Sequence, residues 1–173
     1  MDILIPDIYQ KSIYAINYNK LKENGIKCLL FDLDNTIAPH SVIEPTNKVI
    51  ELFDNLKEMG FKIIIFSNAP YNRITPFKEK LCVDSCALCC KPSKRRYLKI
   101  LKTFKYDLSE VAMIGDQLFT DILGGNRVGI TTILVNPISR NDLIITKPFR
   151  YFEKRWMDNK MKDNVFKKGS YYE

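Results

Sequence analysis

Short β-branched or apolar runs alternate along this chain with longer segments of helical period, and that alternation restricts it to an α/β fold built on a parallel sheet. Strands are predicted near 28–32, 62–66, 86–89, 111–114 and 131–135. Between the first two, Pro45 to Met59 carries Val49, Ile50, Leu52, Phe53 and Leu56 at helical spacing, with Pro45 suited to a first turn and Gly60 to a C-cap. Helices are predicted likewise over Pro70 to Leu81, over Ser93 to Phe104 with Ser93 as N-cap, and over Gln117 to Asn126, closed by Gly124-Gly125. Each strand is thus followed by a helix, giving a three-layer, doubly wound, Rossmann-like sheet.

The ends of the chain read differently. Ahead of the first strand, Ile8, Tyr9, Ile13, Ile16 and Leu21 suggest short helices lying against the sheet. From Lys147 onward Lys147, Arg150, Lys154, Arg155, Lys160, Lys162, Lys167 and Lys168 outnumber the acids Glu153, Asp158 and Asp163. Phe149, Tyr151, Phe152, Trp156 and Phe166 are interleaved with them, and this tail is predicted helical near 149–161 and frayed beyond. A length of 173 residues fits one domain, taken as 1–173 with the basic aromatic tail at about 147–173.

Composition narrows the setting. The longest apolar stretches, Cys28-Leu29-Leu30-Phe31 and Ile63-Ile64-Ile65-Phe66, fall far short of the ~20 residues of a membrane-spanning helix. Acids stand in Met1-Asp2-Ile3-Leu4-Ile5-Pro6-Asp7 where a signal peptide carries bases, which argues for a cytoplasmic protein. Five cysteines in such a chain read as free thiols. The net charge of +7 favours polyanionic partners without choosing among nucleic acid, anionic lipid and phosphorylated substrates.

Ligands of an open parallel sheet bind at the carboxyl ends of its strands, where loops and helix N-termini converge. Asp32 and Asp34 follow the first predicted strand, Ser67 and Asn68 the second, Lys91 the third, and Asp116 with Asp121 the fourth. Neighbouring carboxylates repel, and a divalent cation resolves the conflict. Mg²⁺ suits such a site, since it prefers one or two carboxylates, waters and a phosphate oxygen. Asp32 and Asp116 supply the carboxylates, and the Asp34 carbonyl a third ligand. A carboxylate attacking a phosphate monoester needs flanking positive charge, which the cation and Lys91 provide, while Ser67 and nearby N–H groups hold the remaining oxygens. Asp34 is then the natural acid and base, protonating the leaving alcohol and later activating water.

The series Asp32-Leu33-Asp34-Asn35-Thr36, Ser67-Asn68, Lys91-Pro92 and Gly115-Asp116-Gln117-Leu118-Phe119-Thr120-Asp121 resembles the four ordered motifs of the haloacid dehalogenase superfamily. That resemblance implies a nucleophile at Asp32, acid/base catalysis at Asp34, and phosphate contacts at Ser67, Asn68 and Lys91. It also implies Mg²⁺ on Asp32, the Asp34 backbone and Asp116, with Asp121 in the ion's outer sphere. Gly115 to Pro137, with Ile16-Asn17-Tyr18 upstream, is similar to the YqeG family, a capless branch akin to the mitochondrial phosphatidylglycerophosphate phosphatases. Kinship of that kind implies dephosphorylation of phosphatidylglycerophosphate to phosphatidylglycerol. Only a helix and a strand fit between Asp34 and Ser67, and again between Ser67 and Lys91, so no large cap is expected and the site should lie open to a lipid headgroup. The basic tail is either a solvated face or a peripheral contact with an anionic membrane.

Other readings compete. A phosphatase for a soluble nucleotide or sugar phosphate would share every catalytic residue. A non-enzymatic RNA- or membrane-binding protein would use the charge but leave the ordered Asp, Ser, Lys, Asp series unexplained, and no nucleic-acid partner is expected. Cys82, Cys86, Cys89 and Cys90 invite a zinc site, yet a strand over 86–89 would point Cys86 and Cys89 to opposite faces. Cys90 to Arg96 has the Cys-x5-Arg spacing of cysteine phosphatases but lacks a glycine for close backbone approach. His40, the single histidine, is expected in solvent beside the site.

Overall fold

The computed structural model describes residues 3–139, 147–162 and 169–173. Six parallel strands form one sheet: β1 (Ile8–Gln10), β2 (Cys28–Phe31), β3 (Lys62–Phe66), β4 (Asp84–Cys86), β5 (Val111–Gly115) and β6 (Thr131–Val135), in the spatial order β1-β6-β5-β2-β3-β4. From β2 the chain winds outward through β3 and β4, then returns to the other side of β2 for β5 and β6. The crossover direction therefore reverses between β2 and β5, and a crevice opens at their carboxyl ends. Asp32 and Asp116 follow those two strands directly.

Helices α1 (Tyr18–Glu23), α2 (Asn47–Glu58), α3 (Tyr71–Leu81), α4 (Lys94–Phe104), α5 (Leu123–Val128) and α6 (Lys147–Lys162) complete the described elements, with short 3₁₀ and π turns between some of them. Strand β2 is buried along its whole length, which is why it reads as a continuous apolar run. Leu29 and Phe31 join Phe53, Ile63, Ile65, Phe77 and Ile114 on one face. Cys28 and Leu30 join Ile64, Phe66, Tyr97, Leu101 and Met113 on the other. Between Asp34 and Ser67 lie only α2 and β3, and between Ser67 and Lys91 only α3 and β4, so no large cap is inserted at either point.

Four expectations are corrected. Residues 8–10 form an edge strand on β6 rather than part of a helix, because three residues pairing through their backbone leave no periodic signal. The strand predicted at 86–89 is β4 at Asp84–Cys86, after which Leu88 and Cys90 take left-handed conformations that end pairing. Gly124-Gly125 does not close a helix: both lie inside α5, which ends at Gly129 with φ +91°. A Cβ on Gly125 would meet Thr132 Cγ2 at 2.5 Å, so close packing on β6 explains that glycine. The tail is helical over Lys147–Lys162 as expected, but it is not frayed to its end. Residues 163–168, on which part of that expectation falls, lie outside the described residues, but Tyr172 pairs with Tyr9 through N–H···O bonds of 2.9 and 3.0 Å.

Helix α6 packs Trp156 and Met157 against a cluster of Tyr9, Leu118, Ile122 and Leu134. Its Glu153 is buried and accepts the Phe119 N–H at 3.2 Å, in the turn that follows Asp116. Tyr151 and Phe152 face outward. Among the described residues no helix is long and apolar enough to cross a membrane.

Candidate active site

The motif residues converge at the carboxyl ends of β2 to β5, with Asp32, Ser67, Lys91, Asp116 and Asp121 buried, Asp34 only half buried and Asn68 exposed. Asp32 leaves β2 with its N–H on the Ile114 carbonyl of β5 at 2.9 Å, which fixes the nucleophile candidate at the switch point. The turn beyond it is closed by Ile37 N–H on Leu33 O at 2.9 Å and Asn35 N–H on Ala38 O at 2.8 Å. Asn35 sits at φ 63°, a left-handed position that Asn tolerates better than most residues.

Lys91 is the hub. Its ammonium, 2% exposed at the side chain, donates to Asp32 Oδ1 and Asp121 Oδ1, both at 2.6 Å. Burial opposes its charge, but Asp121 and Asp32 outweigh that and hold its pKa above the ordinary lysine value. Burial also pushes the Asp121 carboxyl up to about 6, against the lowering effect of Lys91 and with a further push from Asp32. The other Asp121 oxygen accepts the Gln117 N–H at 3.2 Å. Carboxylate oxygens of Asp32, Asp116 and Asp121 lie within 4.8 Å of one another, a spacing that could hold a metal ion. Asp121 therefore stands in the carboxylate set itself, as a direct neighbour of Lys91.

Supporting residues explain why the motif positions are what they are. Gly115 precedes Asp116, and a Cβ there would fall 2.2 Å from Asp121 Oδ2, so only glycine lets that carboxylate lie against β5. Thr36 donates to Asp116 Oδ1 at 3.2 Å. Ser67 Oγ accepts the Ala69 N–H at 3.2 Å. Exposed Asn68, expected among the phosphate contacts, has its amide committed to the Lys91 backbone: Oδ1 accepts the Lys91 N–H at 2.8 Å and Nδ2 donates to Lys91 O at 3.3 Å.

Asp34 points to different partners. Its Oδ1 takes Arg73 Nε at 3.0 Å and the Arg73 terminal nitrogen Nη2 at 2.9 Å, with His40 Nδ1 at 3.3 Å. His40 is exposed beside the site as expected. Arg73 was not among the sequence candidates. A signal existed: it lies in the first turn of α3, where the positive end of the helix dipole disfavours a cation that has no acidic partner.

The cysteines do not build a metal site. Among the described residues the only group of three or more metal-capable side chains is the aspartate set. The opposite-face argument fails with the strand that carried it, because the Cys89 thiol turns back to donate to Cys86 O at 3.0 Å. The neighbouring Cys89 thiol lowers the Cys86 thiol to about 7, against its burial and with help from Arg96, Lys99 and Lys91. Cys90 is exposed, its thiol on Leu88 O at 3.4 Å.

Comparison with known proteins agrees with this geometry. Residues 39–129 match the model of the haloacid dehalogenase-like hydrolases, and residues 1–75 match that of the mitochondrial PGP phosphatases. The chain is 37% identical over 151 residues to "Probable phosphatase YqeG" of Bacillus subtilis, covering 87% of this chain and 88% of that one. It is 31% identical over 175 residues to phosphatidylglycerophosphate phosphatase 1, chloroplastic/mitochondrial, of Arabidopsis thaliana, covering 92% of this chain but only 50% of the plant protein's length. A HAD superfamily (subfamily III A) hydrolase from Legionella pneumophila shares the fold with a TM-score of 0.53 at 22% identity, over 71% of this chain and 73% of that one. With its Asp32–Asp34 turn, buried lysine and aspartate set at the switch point of a parallel sheet, the chain belongs to the haloacid dehalogenase-like hydrolases and is a phosphatase of the YqeG kind.

Proposed function

We propose that this phosphatase cleaves a phosphomonoester through an aspartyl phosphate on Asp32, with Mg²⁺ as its metal and the terminal phosphate of phosphatidylglycerophosphate as its substrate. One observation carries the chemistry: a buried ammonium held at 2.6 Å from both Asp32 and Asp121, inside a set of three carboxylates. Lys91 can offset only one of those three charges, and an all-oxygen donor set of this kind suits Mg²⁺. Asp32, Asp116 and the Asp34 carbonyl would hold the ion, with Asp121 alongside. When bound, the ion neutralises phosphate oxygens and eases the approach of an anionic nucleophile.

The remaining chemistry belongs to the chain. An Asp32 carboxylate oxygen forms a bond to phosphorus as the bond to the leaving alcohol breaks, and Asp34 gives the departing oxygen its proton. Asp34, now a carboxylate, takes a proton from water as that water attacks the same phosphorus. Inorganic phosphate leaves, Asp32 is regenerated as a carboxylate and Asp34 as an acid. Lys91 and Ser67 hold the phosphoryl oxygens throughout.

Four observations support a lipid substrate. Two relatives by sequence model or identity are named for phosphatidylglycerophosphate. No large cap stands between the site and a membrane surface. An apolar groove of about 360 Å³, lined by Tyr14, Ile37, Ala38, Pro39, Val42 and Ile138, adjoins the Asp34 turn, to which Ile138 is tied by its N–H on Asn35 O at 3.0 Å. Tyr151 and Phe152 stand exposed on α6, which packs on the turn after Asp116, and aromatic side chains of this kind settle at bilayer interfaces. A soluble substrate is the second reading, favoured by 31% identity over 87 residues to the glyceraldehyde 3-phosphate phosphatase of Pyrococcus abyssi, over 45% of this chain and 37% of that one.

Phosphate release with Mg²⁺, measured on phosphatidylglycerophosphate in vesicles and on nucleotides and sugar phosphates at matched concentration, separates the two. Strong preference for the lipid is expected. Equal or greater turnover of a soluble phosphate would overturn the substrate assignment while leaving the chemistry intact.

A further inference from the structure

Arg73 makes more contacts with the site than any motif explains. Its side chain is 11% exposed, and all three guanidinium nitrogens are engaged. Nε and Nη2 both reach Asp34 Oδ1, at 3.0 and 2.9 Å. Nη1 donates to Val42 O at 2.6 Å and Nη2 to Pro39 O at 3.2 Å. The guanidinium plane lies over the Phe77 ring, 4.8 Å from its centroid, and Phe77 is fully buried. A planar fork stacked on an immobile ring has little freedom to move. Arg73 thus joins Asp34, the 39–42 segment that borders the crevice, and the first turn of α3.

We infer that Arg73 is a positioning residue for proton transfer at Asp34, holding Oδ1 so that Oδ2 is the oxygen that exchanges the proton with the leaving group and with water. The inference rests on the reading of Asp34 as acid and base. Asp34 Oδ1 already faces three nitrogen atoms, two from Arg73 and one from His40, and has no geometry left to reach a leaving alcohol. Oδ2 carries none of these bonds. A carboxyl held by one oxygen cannot swing about its χ2 axis, and small misplacements of a reacting group cost rate steeply. Lysine could not reproduce this, since an ammonium lacks the planar fork that spans a carboxylate and two carbonyls.

The position also accounts for an otherwise unfavourable placement. A cation in the first turn of α3 opposes the helix dipole, and its ion pair with Asp34 offsets that cost. Holding Pro39 and Val42 through the same guanidinium makes the crevice border and the acid/base move as one unit.

The test is the dependence of kcat/KM on the leaving group, since kcat/KM reports phosphoryl transfer to Asp32 and excludes the later hydrolysis that all substrates share. General acid assistance matters for an alcohol of high pKa and hardly at all for p-nitrophenolate, so a mispositioned acid penalises the first selectively. In Arg73→Gln, kcat/KM for glycerol 3-phosphate is expected to fall by about 10- to 100-fold while kcat/KM for p-nitrophenyl phosphate falls by less than about 3-fold. Arg73→Lys should lie between wild type and Arg73→Gln, and urea midpoints of both variants check that they fold. Adding Arg73→Gln to Asp34→Asn should cost nothing further on either substrate. An equal loss on both substrates, or a further loss in the double variant, would overturn the positioning role. If Asp34→Asn itself shows no selective loss on glycerol 3-phosphate, the acid/base reading of Asp34 fails instead, and the two failures are told apart.

Discussion

Replacing Lys91 by methionine removes the ammonium while keeping most of the side-chain volume, and the structure dictates the result. The two bonds at 2.6 Å go to groups with 10% and 1% side-chain exposure, so neither carboxylate can be rehydrated without opening the site. Breaking a buried pair by deleting one partner costs about 3–5 kcal/mol. For a chain of 173 residues that is a fall in Tm of about 6–20 °C, at ~2–4 °C per kcal/mol. The deficit should depend on pH. Asp121, at about 6 in the native protein, rises further once the cation that lowers it is gone. A carboxyl with a folded pKa above its unfolded value of about 3.9 binds more protons folded than unfolded between the two, so stability rises as pH falls through that window. The Lys91→Met deficit is therefore largest near pH 8 and shrinks toward about pH 5. Urea denaturation followed by circular dichroism, at both pH values and without divalent cations, measures it. A deficit under about 1 kcal/mol at the higher pH, or one that grows on acidification, would refute the electrostatic account of Lys91.

Two further outcomes follow from named contacts. Gly115→Ala should drive the Asp121 carboxylate off β5, where the new Cβ falls 2.2 Å from Oδ2. Turnover is expected to drop by on the order of 100-fold, with a stability loss of about 1–3 kcal/mol, and wild-type kinetics would contradict the placement of Asp121. Cys86, whose thiol stands at about 7, should be alkylated by iodoacetamide at a rate that rises through neutral pH, while fully buried Cys89 stays unmodified in the folded protein. Fragment-ion mass spectrometry, which resolves the cysteines that share one tryptic peptide, reads both across pH 6 to about pH 9, and a Cys86 rate flat below about pH 8 would refute the lowered Cys86 thiol.

Much of this was legible in sequence for a definite reason. Strands β2, β3, β5 and β6 lie in the sheet interior, so burial on both faces writes them as apolar runs, and the residues just past them are the site. Edge elements write no such signal: Ile8–Gln10 is held by backbone pairing, and Asp84–Cys86 is half-buried throughout. For Arg73 the cation in a helix's first turn signalled an acidic partner but not which one, because the Asp34 it grips is 39 positions away and only the crossing of α3 over the turn after β2 brings them together. The tail was read as a basic helix with interleaved aromatics, and Trp156 does pack; what the sequence did not mark is the buried acid Glu153, which ties α6 to the turn after Asp116. Glycines misled where packing rather than a turn required them, as at Gly124 and Gly125.

The central claim is covalent chemistry at Asp32, and acid-quench trapping tests it most directly. Mixing the enzyme with labelled phosphomonoester and Mg²⁺, quenching within one turnover and mapping the digest should place an acid-stable, hydroxylamine-labile phosphate on the peptide carrying Asp32. Asp32→Asn should yield no labelled peptide and no turnover while keeping its circular dichroism. Phosphate trapped on another side chain, or full turnover by Asp32→Asn, would contradict the account.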